Sequence, residues 1–471
     1  MSTKSVPSNS IKAVKSGSWY TVSSFLIKSI GFITTPFFTR LLTKEEFGLY
    51  NNYTSWLGIL TVFVALDISS SMISARYDYE KAFDSFILSI LALSTFSALI
   101  WIIILNIFHN FFTTFFGVDR IYINIMIIYI IFSTSIEIYQ NRERLFFEYK
   151  KSVFVSVFIS ITTATLSMIL VLTYNSKLTG RILGAAVPSI VTGAVIYFLL
   201  ILKGKRIKCI YWKYALIICL PYIPHILSLT LLNSMDRIMI TNYCGAEGAA
   251  MYSLSYNCGA VVTMLFASIN NAYSPWLAEQ IYEKNYQKIY QFSKIYIVFA
   301  VCFTLGVMII APEILLILGG RSYLDAQFIM PPVAMGCSCQ FLYTMFVNVE
   351  QIRKKTIGMA FGSASAALLN YILNWIFIPK FGYFAAAYTT LVCYLWLLII
   401  HMVLVYHLGL RNIYSYKYVF FIVGILSICM VGVNFIYIHT AIRYFILVIY
   451  IVSLLVVGYK KKNILLKFLI K

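Results

Sequence analysis

Apolar stretches of twenty or more residues recur from residue 18 to residue 459, separated only by short polar breaks. Each is long enough to cross a hydrocarbon core about 30 Å thick. Strands of a membrane barrel would instead read as alternating segments of about ten residues, a pattern this chain lacks. The expected fold class is therefore an all-α polytopic membrane protein. Charge content agrees: 11% of the residues are charged, against roughly 25% in a soluble domain.

Placed by their polar breaks, the spans run near 18–41, 47–75, 85–108, 121–140, 153–173, 181–202, 218–243, 249–275, 292–318, 325–350, 356–378, 381–408, 416–438 and 440–459, about fourteen in all. The net charge of +20 invites a nucleic-acid reading, but its placement argues for topology. Of the Lys and Arg residues, 27 fall on the side holding both termini and 9 on the other, with Lys28 inside a span. Arg142/Arg144/Lys150/Lys151, Lys203/Lys205/Arg206/Lys208/Lys213, Arg353/Lys354/Lys355 and Lys460/Lys461/Lys462 are the dense clusters. The positive-inside rule puts that side, and both termini, in the cytoplasm. Attraction to anionic headgroups is a secondary consequence, and membrane lipids rather than nucleic acid are the expected surroundings. The first apolar stretch exceeds a signal-peptide core and no small-residue cleavage site follows it, so span 1 is expected to be retained. The nine cysteines form no paired framework and read as free buried thiols, Cys337 and Cys339 included.

An internal repeat organises the chain. Adding 202 to the starts of spans 1 to 6 gives 220, 249, 287, 323, 355 and 383, close to the starts of spans 7 to 12. The same offset aligns Glu45 and Tyr50 with Glu247 and Tyr252, and Gly180 and Ala185 with Gly382 and Ala387. Six spans per repeat return the chain to the same side, so the repeat is parallel, with an axis along the membrane normal. The expected organisation is a six-helix lobe at 1–202, a second at 203–410, and two further helices with a basic tail at 411–471. No loop is long enough for a separate domain, which disfavours a membrane polymerase or ligase. No phosphate-binding G-x-x-x-x-G-K-[ST] loop is present. No catalytic set, metal-ligand spacing or cofactor motif can be nominated, so the chain is not expected to be an enzyme.

Polar residues inside spans are the informative ones. A lysine at a helix centre costs about 2.5–3.5 kcal/mol on insertion scales. Lys28 lies about 15 Å into span 1, beyond easy reach of the interface for its stem. Gly17, Thr21, Ser24, Lys28, Gly31, Thr35 and Thr39 follow three- and four-residue steps and make one polar or small face. Thr230, Asn233, Arg237 and Thr241 make a corresponding stripe in span 7, 202 residues on. The paired cationic faces point to a hydrated, basic-lined path; tight packing through small residues is the plainer account. Asp67, Asp236 and His225 read as coupling or structural groups: Asp67 as a structural partner of Arg76 or another helix, His225 as a packing histidine with proton relay as the alternative. Glu137 and Glu350 read as interfacial ion-pair partners of the basic loops, and Glu313 as lying near an outer helix end.

Thr39-Arg40-Leu41-Leu42-Thr43 followed by Glu45-Glu46-Phe47-Gly48-Leu49-Tyr50 resembles the opening of polysaccharide transporters. Leu232-Asn233-Ser234-Met235-Asp236-Arg237 with Ala250-Met251-Tyr252-Ser253 is similar to the same family, as is Ile378-Pro379-Lys380-Phe381-Gly382-Tyr383-Phe384-Ala385-Ala386-Ala387. The family is the Wzx-type O-antigen and capsule repeat-unit flippases, within the multidrug/oligosaccharidyl-lipid/polysaccharide superfamily. The resemblance implies fourteen helices, alternating access, residence in the bacterial cytoplasmic membrane, and an oligosaccharide on a polyprenyl diphosphate as cargo. It also implies a polysaccharide polymerase and a chain-length regulator as partners. Related multidrug exporters carry an acid in span 1, where this chain has Lys28. A peptidoglycan-precursor flippase or multidrug antiporter is the alternative within transport.

Overall fold

The computed structural model describes residues 8–146, 148–353, 355 and 357–460. Lys354, Lys461 and Lys462 of the basic clusters, and the side chain of Thr21, lie outside the described residues. Every regular element among those described is a helix. In chain order they begin with α1 (Ser8–Leu41), α2 (Lys44–Ala65), α3 (Met72–Asp78), α4 (Phe83–Ile107), α5 (His109–Phe116) and α6 (Arg120–Leu145). Next come α7 (Tyr149–Thr173), α8 (Lys177–Lys203), α9 (Cys209–Cys219) and α10 (Ile223–Tyr282). The remainder are α11 (Tyr286–Ile309), α12 (Ala311–Gly319), α13 (Met330–Ile352), α14 (Ile357–Phe381), α15 (Tyr383–His407), α16 (Tyr416–Ile436) and α17 (Thr440–Lys460).

Ten of these helices are long and apolar enough to cross a bilayer, or eleven if α2 and the Ile68–Asp78 segment, bent by 46°, form one span. The chain is thus an all-α polytopic membrane protein. The difference from fourteen has identifiable sources. The 60 residues of α10 are broken at Gly245 (φ 80°, ψ 171°), between the spans expected at 218–243 and 249–275. Helix α13 is diluted by Pro331, Pro332 and Gln340, and the described apolar run of α17 is short, Thr440–Val456.

The chain divides into two compact units, Met1–Ser253 with Ser363–Ala386, and Leu254–Gly362 with Ala387–Lys471. In the first unit α2 opens on a capping box: Glu46 N–H donates to Thr43 Oγ1 (3.1 Å) and Thr43 N–H donates to Glu46 Oε2 (2.9 Å). It ends where Leu66 and Asp67 take left-handed φ of 59° and 45°. Helix α8 lies directly on α7. A Cβ at Gly184 would come within 2.3 Å of Ser167 Cα, and one at Gly180 within 2.5 Å of the Leu170 carbonyl oxygen, so only glycine allows this approach. The core around Tyr53, Trp56, Met126 and Ile130 packs α2, α4 and α6 together.

In the second unit α16 and α17 are tied to α11 and α12. Tyr437 donates to the Met308 carbonyl at 2.5 Å, and Arg443 grips the Glu313 carboxylate through two bonds of 2.9 and 2.5 Å. Glu313 therefore ends in an ion pair. All nine cysteines are unbridged.

Candidate functional site

Local sequence places the polar faces as the helical periodicity requires. On α1, Thr35 Oγ1 donates to the Gly31 carbonyl (2.9 Å) and Thr39 Oγ1 to that of Thr35 (3.1 Å), so these hydroxyls are satisfied within their own helix. Lys28, on the same helix, is exposed and has no hydrogen-bond or ion-pair partner among the described residues. On α10, Thr230 Oγ1 donates to the Ile226 carbonyl (2.9 Å) and Asn233 Nδ2 to that of Leu229 (2.8 Å). Asn233 is exposed and Arg237 half-buried. Both stripes belong to the first unit.

Asp236 is the most buried of the expected site residues, with 1% of its surface exposed. Asn374 Nδ2 donates to its Oδ1 at 2.6 Å and Asn370 Nδ2 at 3.1 Å, while the Tyr252 hydroxyl bonds its other oxygen. All four residues lie in the first unit, so a carboxylate in an apolar bundle is stabilised by an amide and phenol network. His225 Nδ1 lies 2.9 Å from Ser363 Oγ, which gives that ring a specific partner. Asp67 does not pair with Arg76. It accepts from the Ser70 hydroxyl at the break after α2, while the Arg76 guanidinium sits 4.2 Å over the Phe146 ring. Glu137 accepts from Ser69 Oγ at 2.5 Å.

Two arrangements were not anticipated from sequence. The first is a cavity of about 360 Å³ inside the first unit, walled by α1, α2, α6, α7 and α8. Tyr50, Tyr53, Tyr129, Ser160 and Thr163 bring hydroxyls to it, and Arg181 brings the one cation among its lining residues. The Arg181 guanidinium lies 3.8 Å from the Phe38 ring and 4.4 Å from the Tyr50 ring, and its Nη1 donates to Ser167 Oγ at 2.8 Å. No carboxylate lines this cavity, and none pairs with Arg181 among the described residues. From sequence Arg181 counts with an outer loop; the signal pointing to it is its place beside Gly180, one turn before Gly184. The second is in the other unit. Glu350 is not an interfacial partner of the basic loop. It is 1% exposed and bonds His401, 2% exposed, at 2.7 Å to Nδ1. No group of three or more His, Cys, Asp and Glu side chains among the described residues could hold a metal ion.

Comparison with known proteins places this geometry. The sequence pattern of a family described as polysaccharide biosynthesis protein matches residues 13–281. An uncharacterized membrane protein of Haemophilus influenzae is 20% identical over 373 residues, 76% of this chain and 88% of the relative. Among solved structures, the lipid II flippase MurJ in an inward closed conformation superposes with a TM-score of 0.70 at 15% identity, over 95% of this chain and 99% of that one. An inward-facing multidrug resistance MATE family transporter of the MOP superfamily gives 0.60 at 14% identity, over 82% and 95%. These likenesses establish the fold.

Proposed function

Because the chain belongs to the polysaccharide biosynthesis protein family, we propose that it is a flippase for a polyprenyl-diphosphate-linked oligosaccharide, moved across the bacterial cytoplasmic membrane for a surface polysaccharide such as O-antigen or capsule. The observation that carries this reading is Lys28, a cation within a membrane span, exposed and unpaired among the described residues. An intramembrane lysine left so is disfavoured by about 2.5–3.5 kcal/mol unless it meets water or an anion. A diphosphate is such an anion, and sugars need the hydrated surface that Thr35, Thr230 and Asn233 would extend. Arg237 supplies the second positive charge. The prenyl tail stays in lipid, so only the head requires a path.

The reading brings its architecture with it. Fourteen spans, two six-helix lobes at 1–202 and 203–410 with 411–471 appended, and both termini in the cytoplasm follow from the repeat and the charge bias. Rocking of the lobes would give alternating access. Asp236, buried within the Tyr252, Asn370 and Asn374 network, is the group we assign to coupling: neutralising that carboxylate with a proton or cation changes the hydrogen bonds linking α10 to α14. Asp67 and His225 serve as structural partners through Ser70 and Ser363. A polysaccharide polymerase and a chain-length regulator are the partners this role calls for.

The test is the fate of the cargo. Cells lacking the protein should accumulate single lipid-linked repeat units on the cytoplasmic side and lose surface polymer. The superposition on a lipid II flippase favours one alternative, a peptidoglycan precursor as cargo. Depletion that stops wall synthesis while surface polymer persists would select it. Unchanged lipid-linked pools with altered drug efflux would exclude both.

A further inference from the structure

The cavity in the first unit borders the Lys28 face, which it meets at Gly31. Helix α1 contributes Ile27, Ile30, Gly31, Thr34 and Phe38 to its wall, and Lys28 is not among the lining residues. Its volume of about 360 Å³ falls at the lower end of ligand-sized pockets, roughly 300–1,000 Å³.

We propose that this cavity is a binding site for a sugar carrying a phosphate, with Arg181 as the residue that reads the negative charge. The inference rests on the flippase reading and names where the charged, sugar-bearing end of such a cargo is held. Three properties of the lining select the ligand. The single guanidinium, with no carboxylate beside it, opposes a cationic guest and leaves a half-buried positive charge for which an anion is the complementary partner. Phe38 and Tyr50 stack on the guanidinium, which holds its plane while leaving edge N–H groups beyond the one spent on Ser167. Phenols and hydroxyls from Tyr53, Tyr129, Ser160 and Thr163 offer donors and acceptors to sugar hydroxyls, and aromatic rings offer faces to the sugar's C–H side. An acyl chain in the same space would leave those hydroxyls and the charge facing hydrocarbon. The position of Arg181 is fixed rather than adjustable: Gly180 and Gly184, on either side of it in sequence, clamp α8 against the α7 backbone.

Full-length protein in nanodiscs of uncharged phosphatidylcholine allows a direct test by calorimetry, with glucose 1-phosphate and glucose as probes. Glucose 1-phosphate should bind saturably, and at least about tenfold more tightly than glucose. Arg181→Met should erase that preference and Arg181→Lys should keep part of it. Ser160→Leu fills the cavity without touching the cation and should weaken both probes, which covers the case of an Arg181→Met protein that does not fold. A phosphate preference surviving in Arg181→Met, or unchanged binding in Ser160→Leu, would overturn the proposal. A third arm replaces the lipid with phosphatidylglycerol. If glucose 1-phosphate does not bind in phosphatidylcholine, while wild type but not Arg181→Met retains phosphatidylglycerol through purification, the cavity belongs to a phospholipid phosphate and the sugar assignment falls. The flippase reading is judged separately by the lipid-linked pools of cells lacking the protein, so either can fail while the other stands.

Discussion

Lys28 and Asp236 carry opposite charges into the same unit and meet opposite surroundings, exposed in one case and 1% exposed in the other. The consequences of mutating them should differ accordingly. Lys28→Met removes an expensive group and should insert at least as well as wild type, yet lose surface polymer by at least about tenfold if a diphosphate meets the charge. Lys28→Arg should retain more polymer than Lys28→Gln. Protein abundance and polymer measured in the same cells separate transport from insertion; normal polymer in the Lys28→Met, Arg237→Gln double change would sink the basic path. Asp236→Asn keeps the volume and removes the carboxylate charge to which Tyr252, Asn370 and Asn374 donate hydrogen bonds. We expect normal insertion with polymer down at least about tenfold, and Tyr252→Phe, which takes away one donor, to be milder. Wild-type export by Asp236→Asn would make the carboxylate structural. These residues differ in how far sequence alone could take them. Lys28 announces itself by its cost in an apolar run. Asp236 is visible as an acid, but its meaning comes from Asn370 and Asn374, more than 130 positions away in sequence, and periodicity along one helix carries no information about such partners. Arg181 was hidden for another reason: at the fifth residue of α8 it reads as the end of a loop, and only the approach of α1 and α2 turns it inward to a cavity.

Elements were more legible than contacts, because hydropathy and capping are properties of a continuous stretch. The Thr43–Glu46 capping box sits where span 2 is expected to open, and the gap left between the seventh and eighth spans coincides with the backbone break at Gly245. Less legible was the bend after Ala65, because Leu66 is not a residue that favours positive φ, whereas Asp67 tolerates it better; the Ser70 hydroxyl on the Asp67 carboxylate helps hold the turn. The Gly180/Gly184 contact makes a prediction at this scale. Gly184→Leu would drive side-chain atoms into a position where even a Cβ comes within 2.3 Å of Ser167 Cα. Helices α7 and α8 would have to separate, at a cost of about 1–3 kcal/mol or more. The melting temperature of the purified protein should fall by several degrees, and Arg181 should lose its bond to Ser167. Gly424→Leu on α16, where an added Cβ meets nothing within 4 Å, is the matched control and should melt like wild type. Equal melting temperatures for both variants would remove the close α7–α8 approach from the account.

For the molecule as a whole, the positive charge is the constraint that orientation must satisfy, and it acts through loops rather than through any packed core. Reversal would place 27 of the 37 basic residues outside, including the Lys203–Lys213 cluster between the sixth and seventh expected spans. Translocating such a segment against the membrane potential costs about 2.3 kcal/mol per charge per 100 mV, far more than any local contact named above could offset. In a background without the nine native cysteines, Asn110→Cys, Ser176→Cys and Ser322→Cys should therefore label from outside intact cells with an impermeant thiol reagent. Lys205→Cys and Asn285→Cys should label only after permeabilisation. The positions test more than orientation. Asn110 lies in α5 and Ser176 precedes α8, so both should be outside only if the chain crosses an even number of times between them; Lys205 follows α8 and should then be inside. Continuing, the break of α10 at Gly245 must reach the outer face if α10 comprises two spans, since both Lys205 before it and Asn285 after it are inside. Labelling of Asn285→Cys from outside, with Lys205→Cys protected, would mean that α10 crosses once despite the break. That outcome would invert every later loop and end the fourteen-span count, while labelling of Lys205→Cys with protection of Ser176→Cys would reverse the protein entirely and remove the positive-inside argument.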